Sequence, residues 1–124
     1  MLILHIARRE AWEVAQAGSF YYPAEFEQEG FIHASLVDQI LGSAQKHYHG
    51  QQGLVLLGID SRRVQAEIRF ENLAGGSQQF PHIYGKLNRD AVIGEAPFKA
   101  DGEGRFALPP QVQQWQQIAS LDQP

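Results

Sequence analysis

Leu54-Val55-Leu56-Leu57-Gly58-Ile59 is the run on which the fold turns. A strand with one wet face alternates apolar and polar residues, and this run does not alternate. It predicts a central strand covered on both faces. Gly50 and Gly53 bracket the turn that leads into it.

On the C-terminal side several strands follow in succession. Glu67–Glu71 alternates cleanly, with Ile68 and Phe70 facing one way and Glu67, Arg69 and Glu71 the other. Residues 72–79, with Gly75-Gly76, read as a loop, 91–96 as a further strand, and 102–104 as a turn before 105–108. Pro110 opens a last helix over about 109–120, in which Val112, Trp115 and Ile118 recur about every three residues. Residues 121–124 are expected to form a frayed tail.

On the N-terminal side, 2–6 reads as a first strand with Leu2, Leu4 and Ile6 on one face and Ile3 and His5 on the other. A helix is predicted over 8–17, carrying Ala11, Trp12 and Ala15 inward and stopping at Gly18. An aromatic loop, Phe20-Tyr21-Tyr22, precedes Pro23, which begins a short helical turn through Glu29. Residues 31–34 read as a second strand, and Ser35 is placed to cap a helix over 36–48 with Val37, Leu41, Ala44 and Tyr48 as its apolar stripe. Helices and strands do not alternate regularly, so the fold class expected is α+β rather than a parallel α/β sheet.

Composition bounds what this domain does. The 124 residues form one domain, long enough to bury roughly two-thirds of the unfolded surface. An apolar fraction of 44% and a charged fraction of 19% lie near the ordinary globular range. With no cysteine, disulfides, thiolate catalysis and cysteine-based zinc sites are excluded, and a cytoplasmic location is expected. Residues 1–7 lack the order of a secretion signal, and no apolar run approaches the roughly 20 residues of a membrane span. A formal charge of −4 without a basic cluster disfavours nucleic acid as a partner. The oligomeric state is left open.

Two segments set functional groups among apolar neighbours. In Gly30-Phe31-Ile32-His33-Ala34-Ser35, strand parity puts His33 and Ser35 on one face. A strand running into a helix start offers free N–H donors to an anionic or polar ligand, and His33 is a ready acid or base near neutral pH. The plainer account is a half-buried histidine and a capping serine. In Phe80-Pro81-His82-Ile83-Tyr84-Gly85, Pro81 favours extended geometry, so Phe80, His82 and Tyr84 project together, suited to a planar ring. The plainer account is an ordered loop packing its aromatics on the core. Glu71 shares a face with Glu67 and Arg69, which alone describes a solvated charged face. His5, His33, His47, His49 and His82 lack metal-ligand spacing, and the dipole at a helix end accounts for His47 and His49, so no metal site is expected. No dinucleotide-binding glycine fingerprint, phosphate-binding loop or nucleophile elbow is present.

Together, the His5 strand with the Trp12 helix, the GFIHAS segment, residues 54–60, the FPHIYG segment and residues 91–93 resemble the domain-of-unknown-function family 952, a family of small bacterial proteins, over roughly residues 2–98. The resemblance implies an ADP-ribosyltransferase-like fold, a split and bent β-structure with flanking helices that holds NAD in a cleft. Leu4-His5 resembles the first-strand motif in which a His or Arg orients NAD, and Ile32 to Ser35 resembles the second-strand motif of RNA 2′-phosphotransferases. On this resemblance His33 and Glu71 are the candidate catalytic residues, with Glu71 chosen by residue type. His5, Ser35, His82 and Tyr84 are the candidate ligand-binding residues, and NAD is expected as a substrate rather than a resident cofactor. The alternatives are a non-enzymatic binding or interaction protein on the same scaffold and, third, a metal-dependent hydrolase.

Overall fold

A computed structural model describes residues 1–120; the tail expected at 121–124 lies outside the described residues. In chain order the elements are β1 (Leu2–Arg8), α1 (Arg9–Ala15), β2 (Phe20–Tyr21), α2 (Phe26–Glu29), β3 (Ile32–His33), α3 (Ile40–His47), β4 (Leu54–Asp60), β5 (Glu67–Glu71), β6 (Phe80–Tyr84), β7 (Leu87–Asn88), β8 (Val92–Pro97) and α4 (Gln111–Ser120). Helices and strands are mixed without regular alternation, which is the α+β class.

The strand read as central is central. β4 lies between β1 and β8 in an antiparallel sheet, and every one of its residues is buried. Strand parity sends its side chains to two different cores. Leu54 and Leu56 join Leu2, Leu4 and Ile6 under α3 and α4, while Val55, Leu57 and Ile59 join Ile3 and Ala7 on the opposite face. There a second antiparallel sheet, β3-β6-β5, contributes Ile32 and Ile83, and α1 contributes Trp12 and Ala15. The result is a helical layer, a fully covered sheet and a second sheet with one face turned away from the core. Two backbone hydrogen bonds of 2.8 Å between Leu4 and Ser35 tie β1 to the chain just after β3.

Trp115 of α4 explains Gly58. Gly58 and Gly94 are register partners on β4 and β8, and the indole ring lies across both. A Cβ built at Gly58 would come within 2.5 Å of Trp115 Cε3, and one at Gly94 would come closer still to the indole nitrogen.

Several boundaries differ from the sequence reading, each for a local reason. β1 runs on to Arg8 because Ala7 and Arg8 pair with Val55 and Leu54, which shortens α1 at its start. Phe20 and Tyr21 are not loop but a two-residue strand on Leu87 and Asn88. Only Ile32 and His33 of the predicted second strand enter its ladder. Ala91 belongs to a short 3-10 turn before β8, and the stretch after the 102–104 turn makes only the Ala100–Phe106 bridge. Ser35 is not a helix cap: its backbone is spent on Leu4, the Leu36 amide is taken by Gln39 Oε1 at 2.9 Å, and α3 starts only at Ile40. The inward stripe is therefore Val37, Ile40, Ala44 and Tyr48, while Leu41 faces solvent.

The glycine pair gives a direct test. Gly94→Ala should destabilise the fold by about 1–3 kcal/mol through displacement of Trp115. The check is the urea midpoint followed by tryptophan fluorescence; an unchanged midpoint would refute the seating of the indole on the two glycines.

Candidate functional site

The outward face of β3-β6-β5 follows from parity. Ile32, Ile83 and Ile68 point to the core, so the residues between them point out: His33 with Phe31 preceding it, then Phe80, His82 and Tyr84, then Glu67, Arg69 and Glu71. The register sets His33 opposite His82, and His82 opposite Arg69. Gly30 ends α2 with a φ of +79°, which L side chains rarely adopt, and delivers Phe31 onto this face.

Aromatic contacts knit the patch. The Phe31 ring stacks on His82 at 4.4 Å between centroids, meets His33 edge-on at 4.8 Å and leans on Tyr84 at 5.2 Å. The Arg69 guanidinium lies 4.3 Å over the Tyr84 ring and pairs with both oxygens of Glu67.

Glu71 sits at the centre of the hydrogen bonding. Its Oε1 accepts from the Tyr84 hydroxyl and from His82 Nδ1, the latter at 3.0 Å. These two donors, Tyr84 first, hold its carboxyl below the ordinary glutamate range, so it is ionised at neutral pH. The same contact pushes the Tyr84 hydroxyl up. An ionised carboxylate only accepts, so His82 carries its proton on Nδ1. In the neutral ring Nε2 is then a bare base, with no hydrogen-bond partner among the described residues. Glu71 Oε2 is likewise free of partners among the described residues. The His82 side chain is only 6% exposed and that of Glu71 24% exposed, and each keeps one polar atom without a partner among the described residues. His33, at 59%, is the exposed member, and its Nε2 donates to Glu29 Oε2 at 3.2 Å.

Four of the six residues singled out from sequence thus converge: His33, His82, Tyr84 and Glu71. Two do not join them. Ser35 is buried with its hydroxyl on Ser43 at 3.1 Å. His5 is buried on the inner side of β3: Nδ1 donates to the His33 carbonyl at 2.6 Å, and the Tyr21 hydroxyl donates to Nε2 at 2.8 Å. Burial brings the His5 imidazole down to about 4 and raises the Tyr21 hydroxyl. Neither ring nitrogen of His5 is open to a ligand; its place is that of a strut joining β1, β2 and β3. The patch lies on a sheet face, away from the depression lined by Leu2, Val37 and Gln116 and from that lined by Gly18, Phe20 and Arg89. Phe31, Arg69 and Glu29 are not among the residues singled out from sequence as candidates. Phe31 and Arg69 had a parity signal, lying two residues from His33 and from Glu71; Glu29 had none.

The remaining histidines do not gather. His47 ends α3 and is pushed down chiefly by burial and then by Lys46, while His49 Nδ1 accepts from Gln45 Nε2 at 2.6 Å. No group of three or more metal-binding side chains forms among the described residues. Nor is any described helix long and apolar enough to cross a membrane.

The fold and this patch define a small α+β domain with a histidine-bearing sheet face. The chain belongs to the family described as "Protein of unknown function (DUF952)", whose model matches residues 6–95. It is similar to protein CC0527 from Caulobacter crescentus, whose crystal structure matches with a TM-score of 0.79 at 30% identity, covering 94% of this chain and 99% of that one. The solution NMR structure of CC0527 matches with a TM-score of 0.72 at 33% identity, covering 91% and 95%. No curated protein gives a significant match.

His5 makes stability depend on pH with a definite sign. Its folded value near 4 lies below the unfolded value near 6.5, so the unfolded chain binds the extra proton between them. Stability from this group is full above about pH 6.5 and falls as the pH drops toward 4, by on the order of 3 kcal/mol. Urea titrations at pH 7, 6, 5 and 4 should show the decline, and His5→Gln should flatten it. A decline of equal size in the variant would assign it to other groups.

Proposed function

We propose that the outward face of β3-β6-β5 binds a nucleotide-type small molecule, with NAD or its ADP-ribose portion as the leading ligand. The observation that carries this is Glu71: one carboxylate oxygen is fixed by Tyr84 and His82, and the other, like Nε2 of His82, has no partner among the described residues. A carboxylate held in this way accepts a ribose hydroxyl, Nε2 of His82 accepts a second, and the rings of Phe31, His33 and Tyr84 offer an apolar edge to a base. Two separate three-stranded sheets joined at Leu4–Ser35 support an ADP-ribosyltransferase-like split β-structure.

In the enzymatic form of this reading, Glu71 stabilises positive charge developing on the ribose as nicotinamide departs, much as carboxylates do in glycoside hydrolysis. His33 is then the acid or base that handles the incoming group's proton. The open sheet face favours a second form, a non-enzymatic binding domain on the same scaffold, because water is not excluded from an uncovered carboxylate.

Calorimetry and thermal shift with NAD, ADP-ribose and nicotinamide mononucleotide test the binding claim. The melting temperature should rise with ligand concentration, and Glu71→Gln should weaken binding about 10- to 100-fold while leaving the circular dichroism spectrum unchanged. No heat and no shift with any of the three at about 5 mM would refute a nucleotide site. Nicotinamide release that Glu71→Gln abolishes identifies the enzyme; binding without release identifies the binding domain.

A further inference from the structure

β5 is an outer strand of the second sheet, with β6 on one side and, among the described residues, no strand on the other. The pairing of β6 with β3 decides what that edge presents. The Ala34 amide donates to the Pro81 carbonyl at 3.0 Å, so Pro81 and Ile83 turn their backbone polar groups to β3. Phe80, His82 and Tyr84 therefore turn theirs to β5, where their register partners are Glu71, Arg69 and Glu67. Ile68 and Phe70, lying between those partners, aim their amides and carbonyls at the open side. Neither backbone has a partner there among the described residues. The ladder runs without a bulge, and no proline or lysine interrupts β5, so the usual guards against edge pairing are missing.

The side chains along this edge fit a second copy of the chain in one register. Antiparallel self-pairing centred on Phe70 sets Phe70 against its own copy and, twice by symmetry, Arg69 against the partner's Glu71. Centred on Arg69, it would oppose Arg69 to itself and Glu67 to Glu71, like charges in every pair. Centred on Ile68, it would offer Arg69 only a Glu67 whose two oxygens are already held within its own chain. Both faces of the strand agree with the Phe70 register. Phe70 is 41% exposed and belongs to neither core cluster, so its ring is left to be covered. On the outward face, Glu71 Oε2 and Arg69 Nη1 both lack a hydrogen-bond partner among the described residues.

We propose that two copies of this chain pair antiparallel along β5 about Phe70, joining their second sheets into one six-stranded sheet. The two Phe70 residues exchange N–H···O bonds and set their rings side by side, and each Arg69 reaches the partner's Glu71 on the outward face. A carboxylate oxygen accepts more than one hydrogen bond, so the pairing stands whether or not that face also takes a ribose hydroxyl. One short strand pair is a small interface, which sets the expected dissociation constant at about 10–1,000 μM.

Sedimentation velocity of the full chain tests this, from about 10 μM to 1 mM, the range that brackets the expected constant. The dimer fraction should rise with concentration. Arg69→Glu alone and Glu71→Arg alone each set like charges across the edge and should weaken the dimer at least about tenfold. An equimolar mixture of the two variants opposes unlike charges in both pairs and should restore it, which no interface elsewhere on the chain would do. Should Glu71→Arg fail to fold, as read by circular dichroism, Phe70→Pro carries the test: it removes an outward amide that β6 does not use, so the fold stays and the dimer is lost. A monomer at every concentration, a dimer indifferent to Arg69→Glu or to Phe70→Pro, or a mixture of folded variants that stays monomeric would each overturn the proposal.

Discussion

The antiparallel pairing of β1 with β4, buried on both faces, is the constraint from which the rest of the structure hangs. A fully covered strand needs its backbone polar groups paired on both edges, and β1 and β8 supply those edges. Its side chains then need two cores rather than one. Leu54 and Leu56 summon α3 and α4 to one face, and Val55, Leu57 and Ile59 summon the second sheet and α1 to the other. The second sheet exists in its position because that face must be covered. Having packed Ile32, Ile83 and Ile68 inward, it presents every alternate residue outward.

The candidate site is a by-product of that alternation joined to a few specific contacts. Parity alone places His33, His82, Tyr84, Arg69 and Glu71 on one face, but it does not say which touch. The antiparallel register does, by setting His33 against His82 and Glu71 against Phe80, one step from His82 on the same face. Glu71 then collects two donors from β6 and becomes a fixed, ionised acceptor. Behind the sheet, Tyr21 holds one nitrogen of His5 and the other donates to the His33 carbonyl, so the strand bearing His33 is braced from the core side.

What could be read from sequence was whatever depended on a repeating pattern. The unbroken run 54–59 announced a strand covered twice, and the alternation in Glu67–Glu71 announced one covered once. Non-local pairing was invisible. Nothing in Ser35 says that its backbone will be spent on Leu4 rather than on opening a helix, so the apparent cap is no cap and α3 begins four residues later than the pattern implies. His5 illustrates the same limit: its neighbours showed a strand, but its enclosure by Tyr21 and the His33 carbonyl depends on chain segments 16 and 28 residues away. Glu71 was recognised as a residue type and as one side of a charged face; its partnership with His82 and Tyr84 required the β5–β6 register.

Nitrogen-15 NMR of the imidazole rings tests the central arrangement most directly, because it reports which nitrogen of His82 bears the proton. In the neutral ring the His82 proton should reside on Nδ1, leaving Nε2 bare, and Glu71→Ala should abolish that preference while the backbone spectrum stays folded. A predominantly Nε2-protonated ring in the wild-type chain, or a His82 signal indifferent to loss of the Glu71 carboxylate, would contradict the account.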